Sequence, residues 1–274
     1  MAGLDAGWLV CGILACHNRK SKTLSCLRSF FRLNKQEFCR LKAVILEDGS
    51  TDGTAEAAEK EFPEVTLLHG DGRRFWCGGM RIAWAEAAKL DPDFYLLLND
   101  DTCLTEDALI ELLALAPTPE SLVIAVGAVA DPATGLWSYG GIPATAGTRL
   151  SGRSSREVHT FNANCVLIPR AVFQKLGVFH PAYTHAMGDY DYGYAARRAG
   201  IRLRETPGFV GTCPRDKTGP SWQDRHLPRR ERLRLLASPQ GLPYREWWIY
   251  CWRNHRSICL YRWLSPTLRI LLGR

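Results

Sequence analysis

The chain is predicted to be an α/β protein: a mostly parallel sheet with helices on both faces, followed by a basic, aromatic, helical C-terminal tail. Three observations predict this. Short apolar runs alternate with stretches of helical spacing through the first half of the sequence. A hydrophobic share of 46% and a charged share of 23% are those of a globular chain with a sizeable core. Positive charge is concentrated at the end: from Arg225 onward eleven arginines face two glutamates, a local +9 within an overall +7, which leaves the remainder at −2.

Each element follows from local pattern. Trp8–Ala15, Ala43–Leu46, Val65–His69 and Phe94–Leu98 are short, apolar and bounded by polar turns, as buried strands are. Between them Ser21–Leu33, Thr54–Glu61, Gly79–Leu90 and Thr105–Leu115 carry helical spacing, the last stopped by Pro117. The run from Trp8 to Cys16 is read as a first strand rather than a secretory leader, because no basic segment precedes it and no small-residue cleavage site follows. Asp131 to Thr160 is rich in Gly, Ser, Thr and Pro and is expected to be a long loop or irregular hairpin. Asn164–Ile168 resumes strand patterning, Gly188–Ala199 reads as a helix closed by Gly200, and Pro214 to Pro228 reads as loop. Tyr244 to Leu272 is expected to be helical, and the chain divides as 1–235 and a C-terminal segment 236–274.

Several classes are excluded. No apolar run reaches the ~20 residues that span a bilayer. The ten cysteines contain no Cys-x-x-Cys pair, so a zinc reading is weak and most are expected to be small buried hydrophobes. Nothing in the sequence matches a nucleic-acid recognition motif, so no nucleic-acid partner is expected.

Ligands of an open parallel sheet sit beyond the carboxyl ends of its strands. Three acidic clusters fall at such positions. Glu47-Asp48-Gly49-Ser50-Thr51-Asp52-Gly53-Thr54 follows the second strand. Its spacing also fits a calcium loop, but such a loop needs a helix before it, and Ala43–Leu46 is strand-like. Asn99-Asp100-Asp101 follows Phe94–Leu98, and two adjacent carboxylates repel unless a cation or hydrogen bonds compensate. Their oxygen ligands suit Mn²⁺ or Mg²⁺, ions commonly held by one or two carboxylates plus substrate phosphates. Gly188-Asp189-Tyr190-Asp191 opens a helix and offers a carboxylate as general base. His185, just upstream, is a ligand, an acceptor contact or an ordinary loop histidine.

Together these residues resemble the family 2 inverting glycosyltransferases of GT-A (Rossmann-like) fold, over roughly Trp8 to Gly200. The motifs that carry the resemblance are Asn18-Arg19 after the first strand, the turn Glu47 to Thr54 with its Asp52, the acidic step Asn99 to Asp101, and Gly188-Asp189. The resemblance implies a nucleotide-sugar donor, with Glu47 or Asp48 at the nucleobase, Asp100 at the ribose or metal, and Asp101 at the metal. It implies Asp189 as base; Gly188 stands where relatives carry Glu, so Asp191 stays open as the alternative. Relatives often add a late histidine to the metal, for which His226 and His255 are the candidates.

Gly70 to Gly79 resembles the bacterial rhamnosyltransferase-like branch, which points to a UDP- or dTDP-sugar such as dTDP-rhamnose. There Gly78 and Gly79 are expected to bring backbone to the donor, and Arg73 and Arg74 to offset diphosphate charge. Trp137, Tyr139 and Trp222 are candidates to stack on sugars. The acceptor is expected to be a hydroxyl of a glycan or lipid-linked molecule in cell-surface polysaccharide synthesis. Trp247, Trp248, Trp252 and Trp263 interspersed with Arg245, Arg253, Arg256, Arg262 and Arg269 have the composition of an interfacial helix on an anionic membrane, against a hairpin packed on the domain. The expected location is cytoplasmic, peripheral on the inner face of the membrane. Nucleotidyl transfer, or nucleotide-sugar binding without turnover, is the competing reading.

Overall fold

The computed structural model describes residues 7–33, 39–144, 154–215 and 220–273. Parts of the two long loops, 145–153 and 216–219, therefore lie outside the described residues. In chain order the elements are β1 (Trp8–Cys16), α1 (Lys20–Arg32), β2 (Cys39–Glu47), α2 (Thr54–Glu61), β3 (Val65–His69), α3 (Phe75–Ala87, extended by a 3₁₀ turn to Leu90) and β4 (Phe94–Leu98). There follow β5 (Cys103–Leu104), α4 (Ala108–Leu115), β6 (Val123–Ala130), β7 (Trp137–Tyr139), β8 (Gly141–Ile142), β9 (Arg156–Glu157), β10 (Thr160–Phe161), β11 (Cys165–Pro169), α5 (Arg170–Leu176) and α6 (Gly188–Arg198). The chain ends with β12 (Arg202–Thr212), α7 (Arg229–Ala237), α8 (Tyr244–Asn254) and α9 (Cys259–Leu271).

The main sheet runs β3-β2-β1-β4-β11-β6-β12-β5. β1, β2, β3 and β4 are mutually parallel, and β6 and β12 form a second parallel pair. β11, read from the sequence simply as a strand, lies antiparallel between β4 and β6 and joins the two parallel groups. β6 and β12 are additions to the elements expected from sequence. β12 is punctuated by Pro207, and its register against β6 shifts between Glu205 and Phe209 to accommodate it.

Alternate strand residues feed two cores, as the period of a strand requires. Val10, Leu14, Ile45 and Leu96 face Leu27 and Phe30 of α1 and Leu112 of α4. Ile13, Val44 and Leu97 face Met80 and Trp84 of α3 and Tyr192 of α6. Trp84 is the centre of the second core, with Tyr95, Phe173, Phe179 and Tyr192 around its ring. All ten cysteines are unpaired and nine are buried.

The tail folds back on the domain. α8 lies against α6, and α9 against α8 and α7. Glu246 of α8 accepts the Thr184 backbone N–H at 2.9 Å and its hydroxyl at 2.7 Å. Trp247 stacks on Tyr250 and Trp263 donates to the Tyr244 carbonyl, so these two tryptophans serve the hairpin. Trp248 and Trp252 stay exposed. No helix among the described residues is long and apolar enough to cross a membrane.

Candidate active site

The carboxyl ends of β1, β2 and β4 converge on a cavity of about 710 Å³, a size usual for a ligand pocket. Residues 162–164, the start of α6 and Cys213 complete its lining. Three of the four non-glycine residues with positive φ among the described residues, Asn18, Phe75 and Met187, lie at or beside this cavity. Such backbone is costly and persists where the surroundings impose it, which is typical of functional sites.

Asp100 and Asp101 are buried at 5% and 8% exposure, adjacent on the turn after β4. Arg19 answers their repulsion: one of its guanidinium nitrogens lies 2.9 Å from Asp100 Oδ1 and 3.0 Å from Asp101 Oδ2. Lys22 stands 4.0 Å from Asp101. Burial nevertheless pushes Asp100 up to about 6, against the pull of Arg19. The neutral thiol of Cys213, itself pushed up to about 12 by burial, donates to Asp101 Oδ1 at 3.3 Å. Asn99 accepts the Trp76 indole N–H at 2.7 Å, so Trp76 both walls the cavity and fixes the residue before the acidic pair.

Among the described residues no cluster of three or more His, Cys, Asp and Glu forms a ready-made metal cage. The acidic pair nonetheless fits Mn²⁺ or Mg²⁺. Asp100 Oδ2 is buried without a hydrogen-bond partner, both groups offer hard oxygens, and such ions need only one or two protein carboxylates when phosphates complete the set. His226 and His255 do not line the cavity; His255 is held between the rings of Tyr194 and Tyr250. His185 does line it, with Nδ1 buried and unpartnered, and burial lowers its basicity.

Asp189 opens α6 at 8% exposure and lines the cavity. The backbone N–H groups of Ala163 and Tyr190 donate to it, at 3.2 and 2.9 Å. Burial outweighs these bonds and raises its carboxyl to about 6. Gly188 is required beside it, because a side chain there would run into Cys77 Sγ. Asp191, two residues on, faces the other way. Its carboxylate is taken by Arg253 Nε at 3.0 Å and by the Asn254 amide at 2.7 Å, so it anchors α8 and is turned away from the cavity.

The side chains of the other sequence candidates are engaged within the protein. Asp48 lines the cavity, but its carboxylate is spent on three backbone N–H groups, those of Gly72, Arg74 and Phe75, at 2.9–3.0 Å. It thereby caps α3 from a distance in sequence, which is why that helix begins before the expected Gly79. Glu47 is buried and accepts the N–H of Ser50 within its own turn. Asn18 and Asp52 clasp neighbouring loops: Asn18 Oδ1 accepts the Thr51 N–H at 2.8 Å, and Asp52 the Lys20 N–H at 2.9 Å. Gly79 sits where α3 crosses the sheet; a Cβ there would lie 2.9 Å from Ala15 Cβ and 3.0 Å from Leu46 Cδ2. Gly78 meets the Thr184 backbone instead, donating its N–H to that carbonyl at 3.0 Å. Gly70 and Gly72 let their loop close on Asp48. Arg74 is exposed and pairs with Asp71; the cation inside the cavity is Arg19.

Tyr139 lines the cavity, as do Tyr190 beside Asp189 and Asn162 and Gln240, two residues that no sequence motif marks. Trp137 turns away to donate to Glu205, and Trp222 lies outside the cavity, giving its carbonyl to Arg232.

Residues 12–177 match the family described as Glycosyl transferase family 2, and the chain belongs to that family. It is a glycosyltransferase. No curated protein sequence matches it. Among solved structures it is similar to the mannosyltransferase PcManGT from Pyrobaculum calidifontis in complex with GDP-Man and Mn²⁺, at 15% identity, 96% of this chain, 73% of that one and a TM-score of 0.58. It is likewise similar to S. aureus TarS (residues 1–349) in complex with UDP-GlcNAc, at 12% identity, 96% of this chain, 81% of that one and a TM-score of 0.58.

Proposed function

We propose that the chain transfers a sugar, with inversion, from a nucleotide diphosphate sugar to a hydroxyl of a glycan or lipid-linked acceptor, with Mn²⁺ or Mg²⁺ held by Asp101 and Asp100. The observation that carries this reading is one cavity with a counter-charged acidic pair on one wall and a buried, accessible-edge carboxylate, Asp189, on another. Family membership supports transferase chemistry. The nucleotide sugars in the PcManGT and TarS complexes support the donor class, and the Mn²⁺ of the former supports the metal. The rhamnosyl branch, with dTDP-rhamnose as donor, rests on Gly70 to Gly79 alone.

When bound, a divalent ion would neutralise charge on the leaving diphosphate. The residues of the chain do the rest. Arg19 brings a guanidinium to the acidic step, where it would also offset the charge of phosphate oxygens bound alongside. Asp189 accepts the proton of the acceptor hydroxyl as that oxygen attacks the anomeric carbon. Its raised basicity favours that transfer, since a carboxylate near 6 holds a proton better than an ordinary one and is still mostly ionised at neutral pH. The Ala163 and Tyr190 N–H groups fix its orientation. Tyr139 and Tyr190 supply ring surface in the same cavity.

A screen of UDP-, dTDP- and GDP-sugars for Mn²⁺- or Mg²⁺-dependent hydrolysis tests the reading. Wild type is expected to turn over one of them, and Asp101→Ala to lose both hydrolysis and metal binding. Unchanged activity in Asp101→Ala refutes the metal assignment; binding of a nucleotide sugar with no turnover in any acceptor mixture favours a binding protein.

A further inference from the structure

α9 carries an apolar face that no other described part of the chain covers. Its inner side is used: Cys259, Pro266 and Ile270 are buried. Its outer side shows Leu260 at 59%, Tyr261 at 70%, Leu264 at 37%, Leu268 at 49% and Leu271 at 49% exposure. At 3.6 residues per turn these fall on one stripe about a third of the helix wide. Ten of the sixteen exposed large hydrophobics among the described residues lie between Tyr244 and Leu272, Trp248 and Trp252 included. Burial of one flank of a helix cannot explain apolar side chains on the opposite flank, and a patch of this kind marks an interaction surface.

Charge selects the occupant. Arg245, Arg256 and Arg269 are exposed on the same two helices and the turn between them, and Arg225, Arg229, Arg230 and Arg234 just before. A second copy docking through this face would set like charge against like across a two-fold axis. An anionic bilayer complements both features, taking leucine side chains into its acyl boundary and arginines at its headgroups. α9, with 13 residues, is about 20 Å long, too short to span the ~30 Å core, and is suited to lie flat in the interface.

We propose that the exposed stripe of α9, with Trp248 and Trp252, seats the protein on an anionic lipid surface, and that this surface is tied to the acceptor end of the cavity. The tie is physical. Arg253 and Asn254 hold Asp191 on the helix that bears Asp189, Glu246 holds Thr184 next to His185, and Gln240 lines the cavity from the α7–α8 connection. Membrane docking does not depend on the donor or metal assignment; the link to a lipid-borne acceptor rests on the transfer reading above.

The test is co-sedimentation of the full chain with vesicles of phosphatidylcholine alone or mixed with phosphatidylglycerol. Wild type is expected to partition onto the anionic vesicles, and Leu264→Glu with Leu268→Glu to lower that partition by about a hundredfold. Donor hydrolysis into water by the variant should match wild type, which shows an intact fold. Should the variant not fold, wild type alone decides: quenching of tryptophan fluorescence by brominated anionic lipids supports docking, and its absence overturns it. Equal partition of wild type and variant, or equal binding to neutral and anionic vesicles, overturns the proposal. So does a dimer by light scattering that the double substitution dissociates without any lipid binding.

Discussion

Replacing Asp189 by Asn should make the protein more stable and nearly inactive. Burial raises the Asp189 carboxyl from an ordinary 3.8 to about 6. A folded-state value above the unfolded one means that the fold favours the protonated acid. The cost of the charge is absent below pH 3.8, grows between 3.8 and 6, and is fully present above that. At 1.36 kcal/mol per decade the cost at neutral pH is about 3 kcal/mol. Asn carries no charge to bury, but its amide faces the Ala163 N–H that the carboxylate accepted, a mismatch of about 1 kcal/mol. The net gain of about 2 kcal/mol corresponds to a melting temperature about 4–8 °C higher in a chain of this size. Transfer activity should fall about 10²–10⁴-fold with the loss of the base. Calorimetry at about pH 7.5 and about pH 4, beside initial rates, reads both effects: the gain should appear at the higher pH and shrink at the lower. Activity within a few-fold of wild type refutes the assignment of the base, and a gain equal at both pH values refutes burial of charge as its cause.

Further outcomes follow from the same geometry. The wild-type kcat/KM profile should fall below pH 6 as Asp189 and Asp100 take up protons, and Asp189→Asn should make that limb shallower by about tenfold per unit. Arg253→Ala removes the guanidinium partner of the 2%-exposed Asp191; it should cost about 3 kcal/mol, seen as a lower melting temperature with normal turnover per folded molecule. Gly79→Ala should cost about 1–3 kcal/mol by overpacking Ala15 and Leu46 while leaving the donor KM unchanged. Arg19→Ala removes the guanidinium from Asp100 and Asp101; Mn²⁺ binding without nucleotide, read by electron paramagnetic resonance, should tighten while the donor KM rises.

The legible part of this fold was periodic. β3, β4 and α2 fall where their spacing puts them, because an apolar run between polar turns has few alternatives. Less legible were elements set by distant partners. The start of α3 depends on a carboxylate in another loop, and β12 reads as charged because Arg202 is exposed, Glu205 is neutralised by Arg156, and Pro207 interrupts it. The acidic step and Asp189 were legible in the site because each sits at an element end. The side chains of Asn18, Glu47 and Asp52 also close turns, contacts that residue type alone does not reveal. Cys213 is invisible to motif reading, and Trp76 lies within Gly70 to Gly79 with no role legible there; only contact with Asp101 and Asn99 reveals what they do.

Two carboxylates two residues apart on α6 point in opposite directions, one into the cavity and one into the tail. In a loss-of-function screen Asp189 and Asp191 would score alike, and a short run of intolerant positions would pass for one catalytic motif. The underlying defects belong to different levels of biology. With Asp189 as the proposed base, a cell carrying a lesion at the first should accumulate idle enzyme, which still competes for donor and acceptor. A cell carrying a lesion at the second clears the protein, so raising expression or lowering growth temperature would rescue that allele and leave the other null.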